Sequence, residues 1–296
     1  MGTVIRSTFV SMDKNIHSSI EHATCAAREC ISGAGIDKDD IQLIINTGVY
    51  RDHNIVEPAI AALIQQRLGI NPEFKNGKKT FGFDLINGSC GFLNAAQIVK
   101  SMFDNGDIRY ALVVSGDVHP SKQETEEFPF THSGSAVLFE NTGDEKGFQD
   151  FMFRTTQDIY EGFKSVVDVR IYGSQGRGNI AFDIDKDYPD HLAAFTGESL
   201  QRFYDENSRL REIDRAAVKL VTSQPVKGFG EKILAGAGID SISAICVHDK
   251  YGDSHSSSLP LAYHEGRENG FIGDDNRIMF VGAGAGLTVG LGYYIS

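Results

Sequence analysis

The chain has 296 residues, 41% hydrophobic and 23% charged, with 32 Gly against 7 Pro, a globular composition that excludes the fibrous and disordered classes. Its 28 Lys and Arg against 40 Asp and Glu leave a formal charge of -12, so the bulk surface lacks the cationic excess that non-specific nucleic-acid binding needs. No stretch approaches the roughly eighteen apolar residues of a membrane span, and the opening residues 1–15 lack the apolar region of a secretory signal; a cytoplasmic protein with neither nucleic acid nor membrane as partner is expected.

The first helix is predicted from Ser18 to Ile31, where Ile20, Ala23, Ala27 and Ile31 recur at helical spacing and Gly33-Ala34-Gly35 supplies the stop. Ile41 to Ile45 reads as a buried strand, and Glu57-Pro58 opens a helical pattern that runs to Leu68 and closes at Gly69. Phe81 to Ile86 is the next strand, Asn87-Gly88-Ser89 a tight turn, and the following helix carries Ala95, Val99, Met102 and Phe103 on one face. Ala111 to Val114 is a further buried strand. Strands and helices alternating at this rhythm predict βαβ units and a mostly parallel sheet.

The plan then repeats. Leu68-Gly69-Ile70 is echoed by Ala237-Gly238-Ile239, followed by a strand at Ile242 to Val247, a turn at Tyr251-Gly252-Asp253 and a helix through Leu259 and Leu261. Arg109 to Gly116 aligns with Asn276 to Ala283 at a similar distance after each helix. A duplication on this scale predicts two like halves, residues 1–145 and 146–296, packed about a pseudo-two-fold axis that brings Ser89 and Asp253 together. Residues 143 to 190 show no clear period and read as connecting structure with substrate-covering loops.

Cys25, Cys30, Cys90 and Cys246 have neither zinc-site spacing nor disulfide-scaffold density, and no metal site is expected. The Asn87-Gly88-Ser89 glycosylation pattern reads as chance in a chain without a secretory signal. At Asn87 to Phe92 a strand gives way to a helix through small residues, so a side chain at the apex stands at the positive helix end, where a developing anion is stabilised. Ser89 there is a nucleophile or an N-cap, and Cys90 a nucleophile or a small buried hydrophobe. No GxGxxG or P-loop follows the first strand, which disfavours a nucleotide-binding protein.

Asp84 to Phe92 resembles the Asp-x-x-x-Ala-Cys-x-Gly-Phe elbow of the β-ketoacyl synthase III-like branch of the thiolase superfamily. Val247 to Ala262 resembles that branch's Gly-Asn-Thr-Ser-Ala-Ala-Ser-Ile-Pro-Leu-Ala stretch, and Gly284 to Gly290 its terminal Gly-Gly-Gly-Leu-Thr-Trp-Gly. Glu57-Pro58-Ala59 is similar to a segment of the subgroup that joins two acyl chains head to head, as in dialkylresorcinol synthesis. The resemblance spans nearly the whole chain. It implies the thiolase fold, a five-layered αβαβα sandwich of two duplicated halves, in a homodimer. It also implies an acyltransferase of fatty-acid-derived or polyketide-type metabolism, which takes an acyl group from coenzyme A or acyl carrier protein with no bound cofactor.

The sequence departs from the family's Cys, His and Asn at each position: Ser89 or the shifted Cys90 stands at the nucleophile, Ser223 at the histidine, and Asp253 at the asparagine. By the resemblance, Glu57 is a base reaching across the dimer, and the N–H groups of Ser89 and of the Gly284-Ala285 turn form an oxyanion hole. Ser223 cannot act as a base, and ionised Asp253 cannot donate to an oxyanion. His255 reads as a surface or capping residue, and His132, at the family's Gly-Asp-Gly aspartate, as structural. The alternative reading is a non-catalytic subunit that pairs with an active paralogue as a heterodimer.

Overall fold

A computed structural model describes residues 2–74, 77–106, 108–121, 128–158, 160–167, 173, 178–239 and 242–296. The first helix, α1 (Ser19–Ala34), starts where the Ser18 hydroxyl accepts the Glu21 N–H and stops at Gly35, whose φ of 66° is the left-handed conformation of a helix terminus. The other long helices are α2 (Ile60–Leu68), α3 (Gly91–Asp104), α4 (Tyr188–Glu206), α5 (Phe229–Gly236) and α6 (Ser258–Glu268).

Ten strands make one sheet. Five belong to the first part of the chain: β1 (Gly2–Ser11), β2 (Ile41–Asn46), β3 (Phe81–Asp84), β4 (Tyr110–Asp117) and β5 (Ser133–Thr142). β6 (Gly147–Thr155) follows, then a separate hairpin of β7 (Phe163–Val166) and β8 (Ala181–Ile184). The remaining strands are β9 (Val218–Thr222), β10 (Ser243–Ala244), β11 (Arg277–Gly284) and β12 (Thr288–Ile295). The order β10-β9-β11-β12-β6-β1-β5-β4-β2-β3 reads alike from its middle outwards. β1-β5-β4-β2-β3 and β6-β12-β11-β9-β10 share the same sequence of two antiparallel and then two parallel pairings.

The sheet is therefore mixed rather than mostly parallel. The strands missing from the sequence reading are β1, β5, β6 and β12, which pair through antiparallel neighbours and need no crossover helix. β6 corrects the assignment of residues 143–190 to connecting structure: their first stretch lies at the middle of the sheet, and β7 and β8 supply the expected cover.

The two series meet at one parallel pair, Thr3 with Gly147. Gly147 has φ of 89°, and a Cβ there would lie 2.1 Å from the Thr3 carbonyl oxygen, so this crossing accepts glycine alone. Three apolar clusters mark the layers. α1 and α2 pack on the outer face of β2, β4 and β5. α3 and α6 fill the centre against both halves through Phe92, Val99, Leu259, Leu261 and Phe280. α4 and α5 cover the far face of β9, β11 and β12. These are the five layers of the thiolase fold.

Inside α1, His22 is fully buried: its Nε2 donates to the Ile16 carbonyl oxygen at 3.1 Å, and its Nδ1 accepts the Ser11 hydroxyl at 2.8 Å. Burial lowers its pKa to about 4. Between the ordinary imidazole value and pH 4 the unfolded chain holds a proton here that the folded chain refuses, so stability falls as pH falls through that window, by about 3 kcal/mol in full. Urea denaturation at pH 7 and pH 4.5 is expected to show a steeper acid loss for the native chain than for His22→Gln.

Candidate active site

β3 ends at Asp84, whose carboxylate does structural work. It accepts the Ile60 and Ala61 N–H groups at the start of α2, each at 2.9 Å, and pairs with Arg51 at 3.0 Å. The elbow strand is thereby pinned to a helix before the chain turns through Gly88, at φ 48°, into a single 3-10 turn, Gly88–Cys90, that runs straight into α3.

Ser89 at this apex is 8% exposed and borders a cavity of ≈ 130 Å³ shared with Asp253, His255, Gly284 and Ala285 and walled by Phe130, Phe163 and Tyr188. The end of β11 closes on the elbow: a Cβ on Gly282 would lie 2.7 Å from the Ser89 carbonyl oxygen, and one on Gly284 would lie 3.9 Å from the Ser89 nitrogen. Small residues at 282 and 284 are what let the glycine-rich turn reach the apex. Phe163 comes from the β7–β8 hairpin, so the middle segment does cover the cavity.

Cys90 faces the other way. It is wholly buried, its thiol donates to the Gly282 and Thr288 carbonyl oxygens at 3.3 and 3.4 Å, and burial pushes its pKa up to about 12. A thiol in that state neither reaches the cavity nor ionises to a nucleophile, so the expectation of Cys90 as an alternative nucleophile is corrected. Ser223 is also wrongly placed for substrate: its hydroxyl accepts the Ala283 N–H at 3.0 Å and bonds back to the Ala283 carbonyl, extending the β9–β11 ladder where a side chain would otherwise enter the cavity. The cavity wall there is Pro225. Glu57 is exposed beside Val56 and does not border this cavity within the chain.

His255, expected at the surface, is the largest revision. Its side chain is 12% exposed, with Nδ1 3.3 Å from Asp117 Oδ2. Asp117, the last residue of β4, is fully buried and also accepts the N–H groups of Val49, Tyr50 and Ser256 at 2.8, 2.7 and 3.0 Å and the Ser256 hydroxyl. Burial alone would raise its pKa, but His255 and these donors hold it below the usual carboxylate range. The His255 ring is clamped between Phe130 and Tyr50, with centroids at 4.4 and 5.0 Å.

His255 also carries φ of 47°, a strained conformation for a residue with a side chain. It is fixed by Asp253, whose Oδ1 accepts the His255 N–H at 2.8 Å. Burial raises the Asp253 pKa; burial would lower that of His255, but the carboxylates of Asp117 and Asp253 overcome it and leave the imidazole above its usual value. His132 is structural as expected, its Nε2 accepting the His119 N–H at 3.0 Å. Among the described residues, no three His, Cys, Asp or Glu side chains are grouped to hold a metal ion, and no helix is long and apolar enough to cross a membrane.

Residues 209–294 match the family described as 3-oxoacyl-[acyl-carrier-protein (ACP)] synthase III C terminal. Over 310 residues the chain is 26% identical to a β-ketoacyl-[acyl-carrier-protein] synthase III of Clostridium perfringens, covering 97% of this chain and 87% of that protein. A Bacillus cereus β-ketoacyl-[acyl-carrier-protein] synthase III is 26% identical over 90% of this chain and 79% of its own length. The fold matches that of the 3-oxoacyl-(acyl carrier protein) synthase III of Pseudomonas aeruginosa with a TM-score of 0.81 at 17% identity, covering 100% of this chain and 98% of the other. It matches Xanthomonas campestris OleA, crystallised with lauric acid and lauroyl-CoA bound, with a TM-score of 0.74 at 22% identity, covering 96% of this chain and 84% of the other. Fold, motif order and full-length similarity together make the chain a ketosynthase III-like member of the thiolase superfamily.

Proposed function

We propose that the protein is an acyltransferase that accepts an acyl group from a coenzyme A or acyl-carrier-protein thioester onto Ser89. One observation carries this reading: the Ser89 hydroxyl and the Gly284-Ala285 turn border the same aromatic-walled cavity, at the start of α3. The N–H groups of Ser89 and Ala285 are assigned to the oxyanion, where fixed dipoles act on charge as it develops. Asp253 orients His255 rather than donating to the oxyanion. The named relatives act on acyl-carrier-protein substrates, which supports the donor class, and no bound cofactor is required.

The halves 1–145 and 146–296 are proposed as the two units of one catalytic body, since β4 and β11 deliver their ends to opposite sides of the cavity. A dimer is proposed through the outer sheet edge at β3, where Phe81 and Ile86 are 60% and 57% exposed and Val56 is 88% exposed. Apolar side chains exposed on an unpaired strand edge are the ordinary signature of a buried interface. Glu57, next to Val56, is placed by this arrangement to face the partner.

Incubation with lauroyl-CoA followed by intact-mass measurement tests the reading. One lauroyl group per chain, with equivalent release of coenzyme A, is expected. No adduct from lauroyl-CoA or lauroyl-acyl-carrier protein contradicts it and favours a non-catalytic subunit that needs an active paralogue.

A further inference from the structure

Resting on Ser89 as acyl acceptor, we propose that this site transfers its acyl group to a hydroxyl or amine through a Ser89–His255–Asp117 relay, forming an ester or amide rather than a carbon–carbon bond. Three features of the cavity point there.

The first is the imidazole. Asp117 holds Nδ1, and the Phe130 and Tyr50 rings fix the plane, which leaves Nε2 as the free nitrogen. Nε2 is turned to the elbow: a Cβ on Gly88, the residue before Ser89, would lie 3.6 Å from it. The Ser89 hydroxyl itself donates to the His255 carbonyl oxygen at 3.5 Å, so nucleophile and imidazole belong to adjacent backbone at one corner of the cavity. A base held by a buried carboxylate beside a serine is the arrangement that a hydroxyl nucleophile requires.

The second is charge. Among the described residues bordering the cavity there is no Lys or Arg, whereas Asp253 lies on its wall and Asp117 directly behind His255. A decarboxylating donor brings a carboxylate and generates a carbanion; both are opposed by these acids. A neutral alcohol or amine brings no charge. The third is the wall itself: Phe130, Phe163 and Tyr188 favour an acceptor with an apolar or aromatic body.

The steps balance without an added oxidant or reductant. Ser89 Oγ attacks the thioester carbonyl as its proton passes to His255 Nε2; the C–S bond breaks and that proton leaves on the thiol. The acceptor's O–H or N–H then gives its proton to Nε2 as its heteroatom attacks the Ser89 ester. The C–O bond to Ser89 breaks, and the proton returns to Oγ. Asp117 is a positioning residue that stabilises the imidazolium formed in each half.

The test uses full-length protein loaded with lauroyl-CoA and then offered 2-phenylethanol, phenethylamine or malonyl-CoA. Lauroyl ester or amide is expected with the first two, and no 3-oxo product with malonyl-CoA. His255→Gln is expected to slow turnover of the adduct about 100-fold or more. In the native protein the turnover rate is expected to rise with pH through one ionisation above the usual imidazole value, because the groups facing the ring are the carboxylates of Asp117 and Asp253 and the neutral Tyr50 phenol. That profile serves as the second readout if the variant does not fold. An adduct that condenses with malonyl-CoA and ignores both acceptors, or an unchanged rate in a folded His255→Gln protein, overturns this inference while leaving Ser89 acylation intact. Absence of any adduct overturns both.

Discussion

Asp117→Ala is expected to abolish acyl turnover and to lower the free energy of unfolding by about 3–5 kcal/mol. The carboxylate is 0% exposed and is the common acceptor for backbone of the loop after β2, backbone and hydroxyl of Ser256, and the His255 ring. Removing it orphans all these buried donors at once, and an unsatisfied buried donor costs its desolvation with no return. The loops that carry Tyr50 and His255 lose their shared anchor, so stability and site geometry fail together. Asp117→Asn separates the two effects. It preserves volume, but its amide can accept through one oxygen and turns an N–H toward groups that are themselves donors. A smaller loss of stability and a turnover defect of at least about 100-fold are expected, measured by urea denaturation and by coenzyme A release. Equal stability and equal turnover in Asp117→Asn would deny the carboxylate its positioning role.

Ser89→Ala is expected to remove the acyl adduct and to reduce turnover at least about a thousandfold, whereas Cys90→Ala retains the adduct. The neighbouring residues differ because one residue along a helical turn rotates a side chain by about 100 degrees. At 89 that rotation points into the cavity; at 90 it points between β11 and β12, where the thiol meets two carbonyl oxygens. Cys90→Ala loses those weak bonds and some packing volume, which amounts to about 1 kcal/mol. Its effect is therefore expected in the denaturation midpoint rather than in acylation.

The parts legible in the sequence are those with a local cause. Ser18 and Gly35 bracket α1 because a cap side chain and a left-handed residue act within one turn of the helix. The elbow at Asn87 to Phe92 is readable because a strand, small residues and a helix follow one another directly. The duplication was readable because each half repeats its strand-turn-helix series, and it placed Ser89 and Asp253 on one cavity, as the structure does.

The hidden parts have causes far away in the chain. β6 carries Gln149, Asp150 and Arg154 among its apolar residues, and its strand identity comes from β1 and β12 on either side rather than from an alternating pattern. His255 and Asp117 are 138 residues apart, and nothing beside either announces the other. One signal was within reach. The alignment of Arg109–Gly116 with Asn276–Ala283, carried on by one residue, sets Asp117 opposite Gly284, and the ends of β4 and β11 then face the same cavity. Ser223 and Cys90 show the converse: a position that matches a family motif does not carry its role when the side chain is taken up by the ladder or turned into the core.

The central claim is that the apex hydroxyl, and not the adjacent thiol, takes the acyl group. Trypsin digestion after lauroyl-CoA loading gives one peptide, residues 80–100, that contains both Ser89 and Cys90, and fragment-ion sequencing with a neutral hydroxylamine wash distinguishes them. The account predicts a lauroyl group on Ser89 that survives the wash as an oxygen ester. A lauroyl group on Cys90, cleaved by hydroxylamine as a thioester, would contradict it.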